Sequence, residues 1–219
     1  MAQRLIVEGT DAIPLAVLCQ KNGLSAPVGY EDETKFKKEF IVVGGSDSGT
    51  LKRFKLSLNE PGISNLGLII DADERGTNAR WQQARNILEQ HFSPATLLAA
   101  DNQAGPKFIK EANMPTVGVW IMPDNIRTGY LEHFLSELVP TGDLLWNHAE
   151  AVMAELMGQT FNIVTPARRQ KALLHTWLSW QKEPGKPFGQ AIGAGYLSGE
   201  GALVTAFLDW FGEVFELGQ

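Results

Sequence analysis

The sequence lacks the features of exported, membrane-spanning and disulfide-bonded proteins. Among its 219 residues there is one cysteine, Cys19, which excludes an intramolecular disulfide framework. No apolar run approaches the roughly 18 residues that indicate a transmembrane helix, and the N-terminus has no basic stretch followed by an apolar segment. We therefore expect no membrane association, and the reducing cytoplasm is the expected location.

Histidine and positive charge are also scarce. The four histidines have no paired spacing of the kind that binds zinc. The formal net charge of −6 argues against broad, non-specific binding of nucleic acid. Local basic clusters do occur, and each of them is typical of a solvated surface. A functional role is indicated only where such a cluster lies near the acidic residues described below. The basic clusters are Lys35, Lys37 and Lys38, then Lys52, Arg53 and Lys55, and finally Arg168, Arg169 and Lys171.

Strand and helix patterns alternate over the first half of the chain and predict an α/β fold. The predicted strands are 4–8, 40–44, 66–71 and 116–122, and the predicted helices are 11–21, 48–58, 77–92 and 130–138. Only helices follow, at 143–157, 166–180 and 203–217. We expect a mostly parallel sheet of about four strands flanked by helices. Residues 1–140 would form this α/β domain, and residues 141–219 would form a helical segment packed on it. The two parts would be separate units or one compact domain.

The most informative segment is residues 66–73, which read LGLIIDAD. An apolar run of this length is typical of a buried parallel strand, so that Asp71 and Asp73 lie where the strand ends. Open α/β sheets bind their ligands at that edge. Residues two apart in an extended chain point the same way, so both carboxylates would face one point. Because carboxylate oxygens suit a hard cation, the segment predicts a magnesium site.

The first strand also ends in acidic residues. Glu8 follows residues 4–7, and Asp11 comes three residues later, at the start of the next predicted helix. If the first and third strands are neighbours in a parallel sheet, Glu8 lies beside Asp71 and Asp73. Carboxylates gathered in this way repel one another unless a divalent ion neutralises them.

Each of these acids also has a purely structural alternative. Asp71 and Asp73 can cap the helix that follows them, and Asp11 can be the N-cap of the first helix. Glu132 lies near the start of a predicted helix, where an acidic residue commonly completes a cap. Asp124 follows Pro123 and is interpreted as a turn residue.

Four segments together carry a family resemblance. They are VEGTD at 7–11, IDAD at 70–73, GVWIMPDN at 118–125 and GYLE at 129–132. The glutamate and the DxD pair resemble the Toprim domain of primases, topoisomerases and related nucleases. The whole set resembles a small stand-alone Toprim-like family of bacterial proteins related to nucleases of the overcoming-lysogenization-defect class. The likeness covers about residues 4–135, and KALLHTW at 171–177 extends it into the C-terminal segment.

This resemblance implies a site for phosphodiester chemistry that depends on Mg²⁺ or Mn²⁺. Glu8 would be the Toprim acid, and Asp71 and Asp73 would be metal ligands. A second metal would recruit Asp11 and Glu132. The nuclease relatives also need a lysine near the scissile phosphate, and the candidate in this chain is Lys171, in the segment 171–177.

Arg168 and Arg169 are candidates for phosphate binding. They open a predicted helix after Pro166, where the helix dipole disfavours positive charge. A solvated helix face is the alternative, because solvent makes this electrostatic penalty small. The chain departs from the nuclease relatives in having no Walker-type loop, so an energy-coupled activity would need a separate ATPase as partner.

The expected function is therefore metal-dependent cleavage of nucleic acid, which the resemblance associates with defence against phage or mobile DNA. Two alternatives stay open. The DxD pair can bind a metal–diphosphate in a nucleotide-sugar transferase, although that function gives no role to Glu8. The chain can also be a non-catalytic module that binds a metal or nucleotide and recruits a partner through its C-terminal helices. Trp177 and Trp210 are expected to pack in the core, and a homodimer contact is the alternative for them.

Overall fold

The structure is a computed structural model that describes residues 2–9, 12–24 and 40–217. The strands are β1 (Ala2–Val7), β2 (Ile41–Val43), β3 (Ile63–Asp71), β4 (Lys107–Ile109) and β5 (Thr116–Met122). The helices of the described part are α1 (Ala12–Lys21), α2 (Asp47–Leu58), α3 (Thr77–Leu88), α4 (Pro94–Asp101), α5 (Leu131–Ser136), α6 (Leu144–Met157), α7 (Arg169–Ser179), α8 (Phe188–Gly193) and α9 (Ala202–Phe215). A short 3₁₀ helix, Pro166–Arg168, leads directly into α7.

The strands form one mixed sheet in the order β2-β1-β3-β5-β4. Strands β2, β1, β3 and β5 are parallel, and β4 pairs antiparallel with β5 at the edge. The predicted α/β class and the mostly parallel sheet flanked by helices are confirmed, and the arrangement is consistent with a Rossmann-like fold. Because the four parallel strands run the same way, their carboxyl ends lie at one edge of the sheet.

Three short elements were not predicted from the sequence. Strand β4 has three residues and helix α8 has six, so neither is long enough to show a hydrophobic period. Helix α8 also begins inside a Pro/Gly-rich stretch, residues 183–189, directly after Pro187. Helix α4 is short as well, with Pro94 in its first turn.

Alternate residues of the central strands fill two separate cores, one on each face of the sheet. In β1, Leu5 and Val7 belong to one core and Ile6 to the other. In β5, Trp120 faces the first core and Val119 the second. The first core includes buried residues of α1 and α5 to α9, and the second includes those of α2, α3 and α4. The sheet is therefore covered on both faces, as a parallel sheet requires.

Helix α9 packs directly on the middle of the sheet. Phe207 meets the Trp120 ring edge-on, with 5.2 Å between ring centroids. Asn65, on β3, donates its side-chain amide to the carbonyl of Val214 at 2.8 Å. Trp177 and Trp210 are each 1% exposed, which confirms the core interpretation of these two side chains.

Gly118 on β5 allows this close approach. A Cβ at this position would lie 2.1 Å from Cγ2 of Val214 and 3.0 Å from Nε1 of Trp210. Any side chain there would push α9 away from the sheet.

Two further properties concern the helices. Among the residues that the structure describes, no helix is both long and apolar enough to cross a membrane. Burial within α1 raises the pKa of the Cys19 thiol to about 12, so this group is held as an unreactive thiol.

We predict that Gly118→Ala destabilises the protein by about 1–3 kcal/mol, because the added methyl overpacks the contact between β5 and α9. The measurement is the free energy of unfolding in urea. Gly193→Ala is the matched control, since a Cβ at that helical position meets nothing within 4 Å. Equal stability of the two variants would show that α9 does not pack tightly on β5.

Candidate functional site

Two strand ends bring the main predicted acids together. In the parallel pair of β1 and β3, Val7 is opposite Ile69, so that Glu8 and Asp71 follow at the same edge. The Glu8 side chain is 21% exposed, and it interacts with the backbone N–H of Asp71. The predicted proximity of the first strand's glutamate to the aspartate pair is therefore confirmed.

Asp71 and Asp73 differ in backbone conformation. Strand β3 ends at Asp71, whose Oδ1 accepts a hydrogen bond from the Leu131 N–H at 3.2 Å. Asp73 has a left-handed backbone, with φ at 53°, and its N–H donates to the carbonyl of Gly129 at 3.0 Å. The prediction that one extended chain aims both carboxylates at the same point is wrong, because Asp73 has already left the strand. Asp73 still lies within electrostatic range of Glu8.

A fully buried arginine from α3, Arg80, lies among these groups. Its Nε donates to the Asp71 carbonyl at 2.7 Å, and its Nη2 donates to Glu8 Oε2 at 3.2 Å. Its Nη1 donates to Gln83 at 2.9 Å and also pairs with Asp47. The guanidinium thus connects the ends of β1 and β3 with the first turn of α2.

Arg80 was not predicted as a site residue, although the sequence carries a signal for it. Trp81, Ala84 and Leu88 mark the buried stripe of α3, and Arg80 lies four residues before Ala84 on the same stripe. A charged residue on a buried helix face needs a partner of opposite charge. That requirement points to the acids at the neighbouring strand ends.

Asp47 was also missed as a site residue. The turn before it joins β2 to α2, and Ser46 caps α2 by accepting from the Gly49 N–H. The same turn places Asp47 beside two arginines, because its second oxygen accepts from Arg75 Nη1 at 2.5 Å. Arg75 Nη2 also lies 4.0 Å from Asp73 Oδ2, so this half-exposed arginine links two acids.

The electrostatics of these acids differ. Burial raises the pKa of Glu8, and the negative charges of Asp47 and Asp73 also raise it. The positive charge of Arg80 lowers it, but the pKa remains above its ordinary value. Burial also acts to raise the pKa of Asp47, but hydrogen bonds from Arg80 and Arg75 outweigh it and the pKa is lowered. Four carboxylates share this edge of the sheet, and we call them the strand-end acids: Glu8, Asp47, Asp71 and Asp73.

A second charged pair lies on the helices beside this edge. Lys171 Nζ of α7 is 2.7 Å from Glu132 Oε1, in the first turn of α5. The Glu132 side chain is 12% exposed, whereas that of Lys171 is half exposed. Burial and the positive charge of Lys171 lower the pKa of His175. The structure therefore places Glu132 and Lys171 in contact, although the sequence assigned them separate roles.

Tyr130 lies within electrostatic range of the strand-end acids. Burial raises the pKa of Tyr130, and the negative charges of Asp73, Glu74 and Asp71 raise it further, while Arg168 acts in the opposite direction. Arg168, at the end of the 3₁₀ helix, therefore lies within electrostatic range of Tyr130. Arg169 begins α7 and has no hydrogen bond or ion pair with any residue that the structure describes.

Asp11 and Asp124 are the other two acids considered in the sequence. Asp11 lies outside the described residues, as do the three lysines at 35–38. Asp124 is a turn residue as predicted, because its Oδ1 accepts from the backbone N–H of Ile126 and of Arg127.

The donor chemistry of the strand-end acids suits a hard divalent cation, which prefers carboxylate oxygens. Their placement is a different matter. Within residues 2–9, 12–24 and 40–217, no three His, Cys, Asp or Glu side chains are arranged so that they could hold one metal ion. The two arginines bind several of the same oxygens, and a metal would compete with the exposed one, Arg75.

We predict that Arg80→Met destabilises the protein by about 3–5 kcal/mol, because it leaves partly buried carboxylates without a counter-charge. Arg75→Met is the matched control, since it removes a half-exposed partner of the same Asp47; we expect a cost of at most about 1 kcal/mol. Unfolding in urea measures both. Similar costs for the two variants would show that Arg80 is not the central partner.

We predict that Glu8→Gln makes the metal-free protein more stable at neutral pH. The raised pKa of Glu8 means that ionisation of this carboxyl opposes folding. The stability that its protonated form contributes is full below the ordinary glutamate pKa of about 4.3 and is lost as pH rises through the raised value. The advantage of the variant in urea denaturation with EDTA should therefore vanish at acid pH. A variant that is less stable than the wild type at neutral pH would contradict this.

Comparison with known proteins gives a family but no activity. No curated protein matches the chain, and no solved structure matches it. One family model, described as a protein of unknown function (DUF3226), matches residues 2–216. Since this match covers almost the entire sequence, the chain belongs to the DUF3226 family of proteins of unknown function.

Proposed function

We propose that this protein binds Mg²⁺ or Mn²⁺ at the strand-end acids and hydrolyses a phosphodiester bond of a nucleic acid. One observation carries the proposal: in the described part of the chain, the four strand-end acids are paired with two guanidinium groups, those of Arg75 and Arg80. The excess of two negative charges matches one divalent cation. Burial is the main cause of the raised pKa of Glu8, and repulsion from Asp47 and Asp73 adds to it.

The ligands would be Glu8, Asp71 and Asp73. Their carboxylates would have to move closer together on metal binding, because no three such side chains of the described residues are arranged to hold one ion. Arg80 holds Glu8 and the backbone of Asp71 from the buried side, which orients these two groups. A bound divalent cation would supply a water of lowered pKa and stabilise charge on the phosphate. Arg75, which is half exposed, is able to release Asp73 and turn toward the negative charge of a substrate.

Positive side chains for the substrate come from the C-terminal helices. Lys171 would contact the scissile phosphate, and the nearly buried carboxylate of Glu132 would position its ammonium group. Arg168 and Arg169 would bind neighbouring phosphates, because both precede or begin α7 on the side of Tyr130. The resemblance of the glutamate and the DxD pair to Toprim nucleases supports nucleic acid as the substrate. A role in defence, or an energy-coupled reaction with a separate ATPase, would be an extension of the same activity.

A second candidate function is a non-catalytic module that binds a metal or nucleotide. The observation in its favour is that Arg75 and Arg80 already pair with the strand-end acids, so half of the negative charge of the cluster is compensated without a metal. In this case ligand binding would alter the Arg75 contacts and no bond would be cleaved.

We predict cleavage of single-stranded DNA, double-stranded DNA, RNA or supercoiled plasmid in the presence of Mg²⁺ or Mn²⁺ but not EDTA. Asp71→Asn should lower the rate by at least about a hundredfold, because a metal ligand is lost. Asp209→Asn is the matched control, since Asp209 is an exposed residue of α9 remote from the strand ends. Gel electrophoresis of the products measures the rates.

The two candidate functions give different results. A thermal shift with Mg²⁺ or Mn²⁺ that Asp71→Asn removes, without any cleavage, would favour the non-catalytic module. If the metals give neither a shift nor cleavage with the wild-type chain, the strand-end acids do not form a metal site and the proposal is wrong.

A further inference from the structure

A cleft of about 330 Å³ opens beside the β5–α5 connection, and the strand-end acids do not line it. Its wall combines one aromatic ring with polar side chains from α5, α6 and α7. We call it the Trp146 cleft, and the lining residues used below are Trp146, Arg127, His133, Glu137, Glu150 and Gln170. A volume of this size is at the lower end of the range for small-molecule pockets, about 300–1,000 Å³.

We propose that the Trp146 cleft binds a nucleobase, stacked on Trp146 and read at its edge by the polar side chains. The inference rests on the proposed function in one respect, because it takes the base to belong to the nucleic acid that is cleaved at the strand-end acids. It adds a chemical class of ligand, a base with an exocyclic amino group, at a second place on the surface.

Trp146 is a rigid platform. Its ring packs edge-on against the buried Trp177, with 5.8 Å between centroids and 82° between planes. Asp143 fixes the same corner, because its Oδ1 accepts from the Trp146 backbone N–H at 2.7 Å and from Trp177 Nε1 at 3.3 Å. A half-buried indole held in this way gives the cleft a fixed aromatic wall, and stacking on an aromatic ring is tolerant of base identity.

The polar groups include both a donor and an acceptor. His133 Nδ1 accepts from the Tyr130 N–H at 3.2 Å, so Nε2 carries the ring proton and is a donor. Gln170 donates its amide to Ser136 Oγ at 2.6 Å, which leaves its carbonyl oxygen as an acceptor. Base edges present donors and acceptors side by side, whereas a phosphate presents acceptors alone.

Charge in the cleft also favours a base over a phosphate. Arg127, the one positive side chain among the lining residues described, pairs with Asp124 at 2.5 Å and with Glu137 at 2.9 Å. Glu150 has no hydrogen bond or ion pair with any residue in the described part of the chain. A free carboxylate accepts from the amino group of cytosine, adenine or guanine and repels a phosphate.

The cleft and the strand-end acids share one segment of chain. Thr128 lines the cleft, and the next residue, Gly129, binds the Asp73 N–H through its carbonyl. His133 lines the cleft two residues after Leu131, whose N–H binds Asp71. A nucleotide that has its phosphate at the acids would therefore have a neighbouring base next to the cleft.

The test is the affinity for short, fluorescein-labelled single-stranded oligodeoxynucleotides, measured by anisotropy in EDTA so that no cleavage intervenes. Trp146→Ala should weaken binding between about five- and a hundredfold, the range for loss of one stacked base. Trp146→Phe should largely restore it. Trp180→Ala, which removes an exposed tryptophan at the end of α7, is the matched control and should leave the affinity unchanged.

An oligonucleotide with abasic sites should bind wild-type protein and Trp146→Ala equally, because it has no base to stack. Trp146-dependent binding of nucleoside monophosphates as tight as that of oligonucleotides would support the cleft and identify a free nucleotide as its source. Equal loss of affinity in Trp146→Ala and Trp180→Ala would overturn the proposal. So would full affinity in Trp146→Ala and Trp146→Phe.

Failure of this proposal and of the proposed function are separable. Metal-dependent cleavage with an affinity that does not depend on Trp146 overturns the Trp146 cleft and leaves the proposed function intact. Trp146-dependent binding by a protein that cleaves nothing supports the cleft and overturns the proposed activity.

Discussion

The Arg80 guanidinium is the interaction on which the rest of the site depends. Burying a positive charge completely is unfavourable unless hydrogen bonds and opposite charges replace its water. Arg80 meets that requirement with Glu8, Asp47 and the Asp71 carbonyl, which come from the ends of two strands and the start of a helix. Acids that would otherwise repel one another are thereby held at one edge of the sheet, next to the core that β1 and β3 share.

The two arginines at this edge of the sheet differ in burial and therefore in role. Arg80 is wholly buried and fixed, whereas Arg75 is half exposed and lies 4.0 Å from Asp73. A buried cation is held in place by its partners, whereas the half-exposed Arg75 is the one that would exchange with the metal that we propose. Asp73, which has left the strand, therefore has a longer contact with Arg75 than Asp47 has.

The connection from β5 to α5 joins every functional element proposed for this protein. Its carbonyl at Gly129 and its N–H at Leu131 bind the two aspartates that follow β3. Glu132 extends from it to Lys171, and His133 faces the Trp146 cleft. Gly129 has a φ of 143°, and a Cβ there would lie 2.8 Å from His133 Nδ1, so only glycine fits this junction.

Much of the fold and part of the site were determined by the sequence alone. Hydrophobic runs and alternation fixed the four parallel strands, and since parallel strands end at one edge, Glu8 was predicted beside Asp71. The helical pattern placed Lys171 and Arg168 around the start of one helix. Only the tertiary structure decided that Asp47 and Arg80 join the acids, that Asp73 turns away from the strand, and that β4 and α8 form. Such pairings join segments far apart in the chain, and short elements take their conformation from their neighbours, so neither leaves a local pattern in the sequence.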